Sequence, residues 1–190
     1  GTLVNSPTWV GGARGNALSF NGTSQYTRVG GQSDLGTSNK AYTISGWIYL
    51  LSNATDQNII HVANNSDGTG WCITFVAYSG GKLVATSYDG GGQQATGATT
   101  LATGRWYHFA DVWSGAGGLI LYLNGQSDGT NAVATYSASG ASNYVFTAFG
   151  GPGCIGDTRN YFNGLVDDVR IYNRALTAQD VYMLYLSDNR

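Results

Sequence analysis

The stretch at residues 160–186 reads NYFNGLVDDVRIYNRALTAQDVYMLYL and decides how this chain folds. A turn at Asn163-Gly164 is followed by residues that predict one long strand, whose side chains alternate between two faces. The predicted faces are Leu165, Asp167, Val169 and Ile171 on one side, and Val166, Asp168, Arg170 and Tyr172 on the other.

The period of the apolar residues changes after Asn173. Four apolar residues then recur at roughly helical spacing, namely Leu176, Val181, Leu184 and Tyr185. Thr177 is placed to cap this helix, and Asp180 follows three residues later. The pair is a variant of the Ser/Thr-x-x-Glu capping box, in which Asp reaches back less well than Glu. The sequence therefore predicts a strand and then one short helix.

Composition indicates an all-β domain. The chain has 190 residues, of which 42% are hydrophobic and 13% aromatic, and this aromatic content argues against disorder. It contains 29 glycines, no glutamate and only two lysines, so Glu/Lys-type helix formers are nearly absent. Many short strands joined by glycine-rich turns are typical of a sandwich, and we expect residues 1–190 to form a single domain.

Turn signals divide the remainder of the chain into further strands. A short strand is predicted within residues 1–10, with a turn at Ser6-Pro7. The other predicted strands cover residues 17–20, 26–29, 42–51, 58–62, 71–78, 83–88, 106–113, 119–123, 144–149 and 154–156. Asn124-Gly125 is the strongest hairpin signal, because both residues of a type I′ turn need positive φ. Residues 89–97, DGGGQQATG, are predicted to form a loop.

Charge and hydropathy exclude two classes of partner. The formal net charge of −2 provides no basic surface for nucleic acid. No run of about 18 apolar residues is present, so the sequence predicts no membrane insertion.

The segment FNGLVDDVRIYNRALT, residues 162–177, resembles the closing motif of LamG-like jelly-roll domains in the concanavalin A-like lectin/glucanase superfamily. Upstream segments fit the same family in the expected order: ALSFNG at 17–22, YTISGWI at 42–48, RWYHFA at 105–110 and LYLNG at 121–125. The resemblance covers nearly the whole chain. It implies a two-sheet antiparallel β-sandwich of the jelly-roll type with one short C-terminal helix. Function does not follow, because such folds host many unrelated activities.

Catalysis is disfavoured by the acidic residues. Glycosidases use two carboxylates on either side of the scissile bond, and the hydrolase branch that this fold resembles carries a Glu-rich strand motif. All 11 acidic residues here are aspartates. Asp167 and Asp168 are adjacent, but neighbouring strand residues point to opposite faces and cannot flank one bond. We therefore expect a protein that is not an enzyme.

The resemblance also implies a structural calcium where the Phe-Asn-Gly turn meets the closing strand. Its expected ligands are Asn21, Asp167 and backbone oxygens near Gly22 and Gln25, although many relatives carry Asp in place of Asn21. Calcium prefers such hard oxygen ligands.

The position of Asp167 gives an independent argument. On the predicted face it accompanies Val169 and Ile171, and an inward carboxylate needs a partner or a cation. The alternative is that Asp167 accepts backbone N–H bonds or pairs with Arg28 or Arg170.

A carbohydrate site is predicted from aromatic and amide residues in neighbouring hairpins. Sugar sites place an aromatic face against the sugar ring and use amides and carboxylates for its hydroxyls. The candidates are Trp71, Tyr78, Tyr88, Asp89, Gln93, Gln94 and Asn65. Loop residues are favoured within this set, because loops carry recognition on rigid scaffolds, whereas most tyrosines, together with Trp47 and Trp106, are expected in the core.

Cys72 and Cys154 are the only cysteines. They form one disulfide in an oxidising compartment, or else two buried free thiols. A bond between them closes a loop of about 80 residues and is worth about 4 kcal/mol in the chain-entropy description.

These observations favour a non-catalytic carbohydrate-recognition module of a secreted or cell-surface protein. We expect its partners to be a polysaccharide or glycan and other domains of the same polypeptide, because the opening GTLV reads as the start of a piece cut from a longer product. The alternative is a protein-binding or adhesive spacer without a sugar site. A polysaccharide-degrading enzyme is the third possibility.

Overall fold

The fold comes from a computed structural model that describes residues 1–140, 142–150 and 159–187. Within these residues two antiparallel sheets face each other. The first sheet has eight strands. Its path runs through β1 (Thr2–Val4), β4 (Tyr26–Gln32), β13 (Asn143–Thr147), β6 (Gln57–Ala63), β7 (Cys72–Ser79), β8 (Lys82–Tyr88) and β9 (Gly92–Thr96), and β14 (Asn160–Tyr161) pairs with β6 in parallel.

The second sheet has seven described strands. Its order is β12 (Gln126–Asn131), β11 (Leu119–Leu123), β10 (Trp106–Trp113), β5 (Tyr42–Leu50), β15 (Asn163–Tyr172), β3 (Asn16–Asn21) and β2 (Thr8–Gly11). The closing strand β15 therefore lies inside this sheet between β5 and β3, and the jelly-roll sandwich expected from the sequence is confirmed.

Strand predictions agree with the structure wherever local pattern was strong. The predicted bounds of β10 and β11 match, and Asn124-Gly125 forms the turn into β12. The loop prediction for residues 89–97 is wrong, because β9 pairs with β8 along five residues. Its sequence GQQAT lacks the apolar alternation of a strand, so pairing is imposed by the neighbouring β8. The predicted strand 154–156 lies outside the described residues.

The core fills the space between the two sheets. Its largest fully buried side chains include Trp113, Tyr42, Tyr136, Phe75 and Phe109. Four of these aromatic rings also contact one another, with centroid separations such as 5.1 Å between Tyr42 and Phe75 and 5.8 Å between Trp113 and Tyr136. Tyr42 and Phe75 meet edge to face, and aromatic packing of this kind adds to the stability gained from burial.

A β-bulge in β15 changes the predicted faces of this strand. The register to β5 shifts between Asp167 and Arg170, and Asp168 has φ 49°. One extra residue in a strand reverses the alternation beyond it. The inward residues are consequently Val166, Val169 and Ile171, which pack on the core, whereas Asp167 lies opposite Trp47 on the outer face. The prediction that Asp167 shares a face with Val169 and Ile171 is wrong for this reason.

The C-terminal helix α1 (Ala178–Ser187) begins at the predicted cap. The Asp180 amide donates to the Thr177 hydroxyl at 3.1 Å, and the Thr177 amide donates to the Asp180 carboxylate at 3.0 Å. The helix packs on the outer face of the second sheet, where Val181 is buried with Leu176 and Tyr122. No helix in the described ranges is long and apolar enough to cross a membrane.

The two long edges of the sandwich differ. At one edge β9 and β12 meet: the Asn131 amide donates to the Gln94 carbonyl at 3.0 Å, and the Ala98 amide donates to the Asp128 carbonyl at 2.8 Å. At the other edge, β4 and β13 face β2, β3 and β15 across a cleft of about 550 Å³. We call this space the open-edge cleft.

Candidate functional site

Five of the predicted carbohydrate residues lie around one end of the β7–β8–β9 hairpins. We call Trp71, Tyr88, Asp89, Gln93 and Gln94 the hairpin patch. The rings of Trp71 and Tyr88 meet edge to face with their centroids 6.5 Å apart. Both side chains are half-buried and pack against the core, so each offers only part of its ring to solvent.

The polar members of the hairpin patch are held by β8 and β9. The Gln93 side-chain amide donates to the Asp89 carboxylate at 3.0 Å, which positions both groups beside the turn. Gln94 is exposed, and its backbone carbonyl accepts a hydrogen bond from the Asn131 side-chain amide. The Tyr88 carbonyl accepts a hydrogen bond from the Ser137 amide at 2.6 Å, which fixes the start of the turn.

Tyr78 does not belong to this surface. Only 2% of the residue is exposed, and it packs in the core with Leu83. Its assignment as a sugar contact is therefore wrong, because β7 turns this position inward. Asn65 is exposed in the neighbouring turn, where its amide donates to the Thr69 hydroxyl at 3.0 Å.

The predicted calcium ligands do not converge. Asn21 lies opposite Asn163 on the adjacent strand, whereas Asp167 is four residues further along that strand. Four residues of strand span about 13 Å, which no shared ion bridges.

Each of these two side chains also has partners of its own. The Asn21 side-chain oxygen accepts N–H bonds from Thr23, Ser24 and Gln25 at 3.0–3.3 Å. The Asp167 carboxylate accepts the Arg14 amide at 2.7 Å, while burial raises the pKa of Asp167 from its usual value.

The residues Asn21, Gly22, Gln25 and Asp167 thus do not fit one calcium ion. Within the described ranges, no group of three or more His, Cys, Asp or Glu residues comes together as a metal site. Asp167 instead accepts hydrogen bonds from backbone N–H groups, which was the alternative expected from the sequence. Arg170 pairs with Asp168, at 2.6 Å, rather than with Asp167.

Cys72 begins β7 opposite Ala63. Cys154 lies outside the described residues, so the Cys72–Cys154 bond stays a prediction.

A carboxyl group that the sequence did not single out lies in the core. Asp111 is fully buried on β10, and neither of its oxygens has a hydrogen-bond partner in the described structure. Burial raises the pKa of this carboxyl well above its usual value. A perturbed carboxyl in a cleft suggests catalysis, but no substrate reaches Asp111, so its raised pKa bears on stability alone.

Sequence reasoning also missed Trp9, which lines the open-edge cleft and is 63% exposed. The available signal was a tryptophan in a short strand that ends in Gly11-Gly12. Its exposure depends on where the opposite sheet ends, and the sequence of β2 carries no information on that.

Residues 21–182 match the model of a family described as the concanavalin A-like lectin/glucanases superfamily, and the chain belongs to this superfamily. No curated protein matches the sequence.

Solved structures share the fold at low sequence identity. Domain 4 of the arabinanase AbnA from Geobacillus stearothermophilus has a TM-score of 0.61 and 20% identity, and the match covers 97% of this chain and 82% of that one. A SAP-like pentraxin from Limulus polyphemus has a TM-score of 0.64 and 20% identity over 89% and 81% of the two chains. The binding domain of botulinum neurotoxin DC has a TM-score of 0.70 and 16% identity over 98% of this chain and 46% of that one, so this chain spans about half of that domain.

Proposed function

We propose that this chain is a non-catalytic carbohydrate-recognition module that acts outside the cell as one domain of a longer polypeptide. Membership of the lectin/glucanase superfamily supports the general class. Two structures of the same fold were solved with ligands, the arabinanase domain with arabinotriose and the neurotoxin binding domain with SialylT.

The observation that carries the proposal is the hairpin patch. Trp71 and Tyr88 are half-buried at the end of the sandwich with their rings edge to face, and Asp89, which follows Tyr88 directly, accepts a hydrogen bond from the Gln93 side-chain amide. Aromatic surface together with fixed amide and carboxylate groups suits a sugar, which has an apolar ring face and a rim of hydroxyls.

The non-catalytic part of the proposal rests on the carboxylates. Asp167 and Asp168 are bonded to the Arg14 amide and the Arg170 guanidinium, and Asp111 has no exposed surface. These three groups therefore lack either the freedom or the access that general acid and nucleophile require.

A glycan array followed by calorimetric titration of each positive sugar tests the proposal. We expect binding that Asp89→Ala weakens at least fivefold while leaving the melting temperature unchanged, since this residue is exposed.

Tyr88→Ala should also weaken binding, but its melting temperature should fall because the ring packs on the core. Tyr182→Ala is the matched aromatic control, since Tyr182 is exposed on α1. An array with no positive sugar favours the adhesive-spacer alternative, and binding indifferent to Asp89 and Tyr88 removes the hairpin patch from the site.

A further inference from the structure

The open-edge cleft exists because the inner faces of the two sheets extend beyond the part that they cover for each other. One inward row crosses the second sheet from Ile48 to Val166, Leu18 and Trp9, each residue lying opposite the next on a neighbouring strand. Cross-strand neighbours share a face. Exposure rises along the row from none at Ile48 to 63% at Trp9, so Trp9 stands on the cleft side beyond the cover of the first sheet.

The first sheet has a corresponding row. Val62, Val145 and Val29 are consecutive cross-strand neighbours, and exposure rises from none at Val62 to 41% at Val29. Val29 and Trp9 therefore form the two rims of the cleft, and Val145 and Val166 lie deeper in its lining.

Four polar side chains line the same space, namely Asn16, Thr27, Gln32 and Thr147. None of them makes a side-chain hydrogen bond to the described part of the chain. Thr27 and Thr147 are cross-strand neighbours, so their hydroxyls lie side by side on one wall. Water hydrogen-bonds to polar groups in a recess until a ligand displaces it. The ligand binds well only if it restores the hydrogen bonds that the water made.

We propose that the open-edge cleft is a second binding site, for a neutral sugar residue of a glycan chain, an inference that rests on the proposed function. A sugar ring uses both features of the recess: its apolar face contacts Trp9, and its hydroxyls bond to the amides and hydroxyls of the walls. An alkyl chain of the same size contacts the apolar rows but leaves the polar side chains without partners.

The charge of the lining selects neutral sugars. Asp167 and Asp168 border the cleft, but the Asp167 carboxylate accepts the Arg14 amide and Asp168 is paired with Arg170. No lysine or arginine lines the cleft within the described residues. A sialic acid or a uronic acid bound there finds no cationic side chain in the lining to pair with its carboxylate, and an unpaired carboxylate taken out of water reduces affinity. The cleft should therefore discriminate against acidic glycans.

Calorimetric titration with arabinotriose, xylotriose and cellotriose as neutral probes, and sialyllactose as the acidic probe, tests this site. We expect at least one neutral trisaccharide to bind, with affinity lowered tenfold or more by Trp9→Ala and severalfold by Gln32→Ala. Trp9→Phe should retain part of the affinity, because it keeps an aromatic face. Trp9 is largely exposed, so its variants should melt near the wild-type temperature.

The hairpin-patch variant Asp89→Ala separates this inference from the proposed function. A neutral sugar whose binding is lost in Asp89→Ala and kept in Trp9→Ala upholds the proposed function and overturns the cleft site. Sialyllactose binding that depends on Trp9 overturns the neutral specificity. Octanoate binding that depends on Trp9, with no sugar bound, shows an apolar site and also overturns the inference. If no sugar binds to any variant or to the wild type, both proposals fall.

Discussion

Replacing Asp111 by asparagine should make the stability of this protein less dependent on pH. The carboxyl lies on the inner face of β10, where its backbone neighbours across the sheet are Ile44 and Leu121, and it has no exposed surface. The hydroxyl of Tyr42 is buried in the same core and does not hydrogen-bond to Asp111 in the described structure. An ionised carboxylate in such surroundings is far more costly than the neutral acid.

The direction of the pH effect follows from the raised pKa. In the unfolded chain Asp111 ionises near its ordinary pKa of 3.8, whereas burial raises the pKa in the folded protein well above that value. Between the two pKa values the folded state holds a proton that the unfolded state has lost, so the free energy of unfolding decreases as pH rises. The contribution of the neutral acid is complete below the unfolded pKa and is lost as pH rises through the folded pKa.

The magnitude is up to about 1.4 kcal/mol for each pH unit within this window. For a domain of this size, 1 kcal/mol corresponds to about 2–4 °C in melting temperature, so the wild type should lose about 3–6 °C per pH unit through Asp111 alone. Asparagine has nearly the same shape and stays neutral. The melting temperature of Asp111→Asn minus that of the wild type should therefore increase steadily with pH.

Melting curves of both proteins between pH 4.5 and 7.5 measure this difference, and the comparison cancels the titration of all other groups. Asp180→Asn is the control. Its pKa is lowered by the Thr177 amide, so its contribution is present above the unfolded pKa and lost only as pH falls through the folded pKa. Between pH 5 and 7.5 its difference from the wild type should be constant. A constant difference for Asp111→Asn as well refutes the argument, because it means that Asp111 has the same protonation in the folded and unfolded states.

Four further predictions concern separate parts of the molecule. Thr177→Ala should lower the free energy of unfolding by about 1 kcal/mol, measured by denaturant titration, because it removes the helix cap; no change shows that packing of α1 alone sets its stability. For the calcium expected from the sequence, melting of metal-free protein with and without calcium is the test, and if calcium raises the melting temperature by several degrees, Asn21→Ala and Asp167→Asn should not both abolish the rise, since the two lie four residues apart along the strands; a response lost in both variants contradicts the observed register. Thiol titration of the denatured, unreduced protein should find no free thiol if Cys72 and Cys154 are bonded, and two thiols per chain exclude the bond. Incubation with β-glucan, alginate or agar should release no reducing sugar, whereas release above a heat-killed control that an aspartate substitution abolishes contradicts the non-catalytic proposal.

Local interactions account for what could be predicted from the sequence. The Asn124-Gly125 turn, the bounds of β10 and β11 and the reciprocal bonds between Thr177 and Asp180 all involve residues within a few positions of one another. The identities of these residues carry the necessary information, because φ preferences and capping bonds act over one turn of chain.

The features that the sequence did not determine depend on distant strands. A single residue in the bulge at Asp168 reversed the faces of β15 and so separated Asp167 from the inward Val169 and Ile171. The register of β15 on β3 places Asp167 four residues from the position opposite Asn21. Strand β9 has almost no apolar pattern and forms because β8 offers it backbone partners. Trp9 belongs to the same inward row as fully buried Ile48, but it is exposed because the opposite sheet does not reach it. Side-chain alternation fixes which residues share a face, and only the packing of one sheet on the other decides which of them are covered.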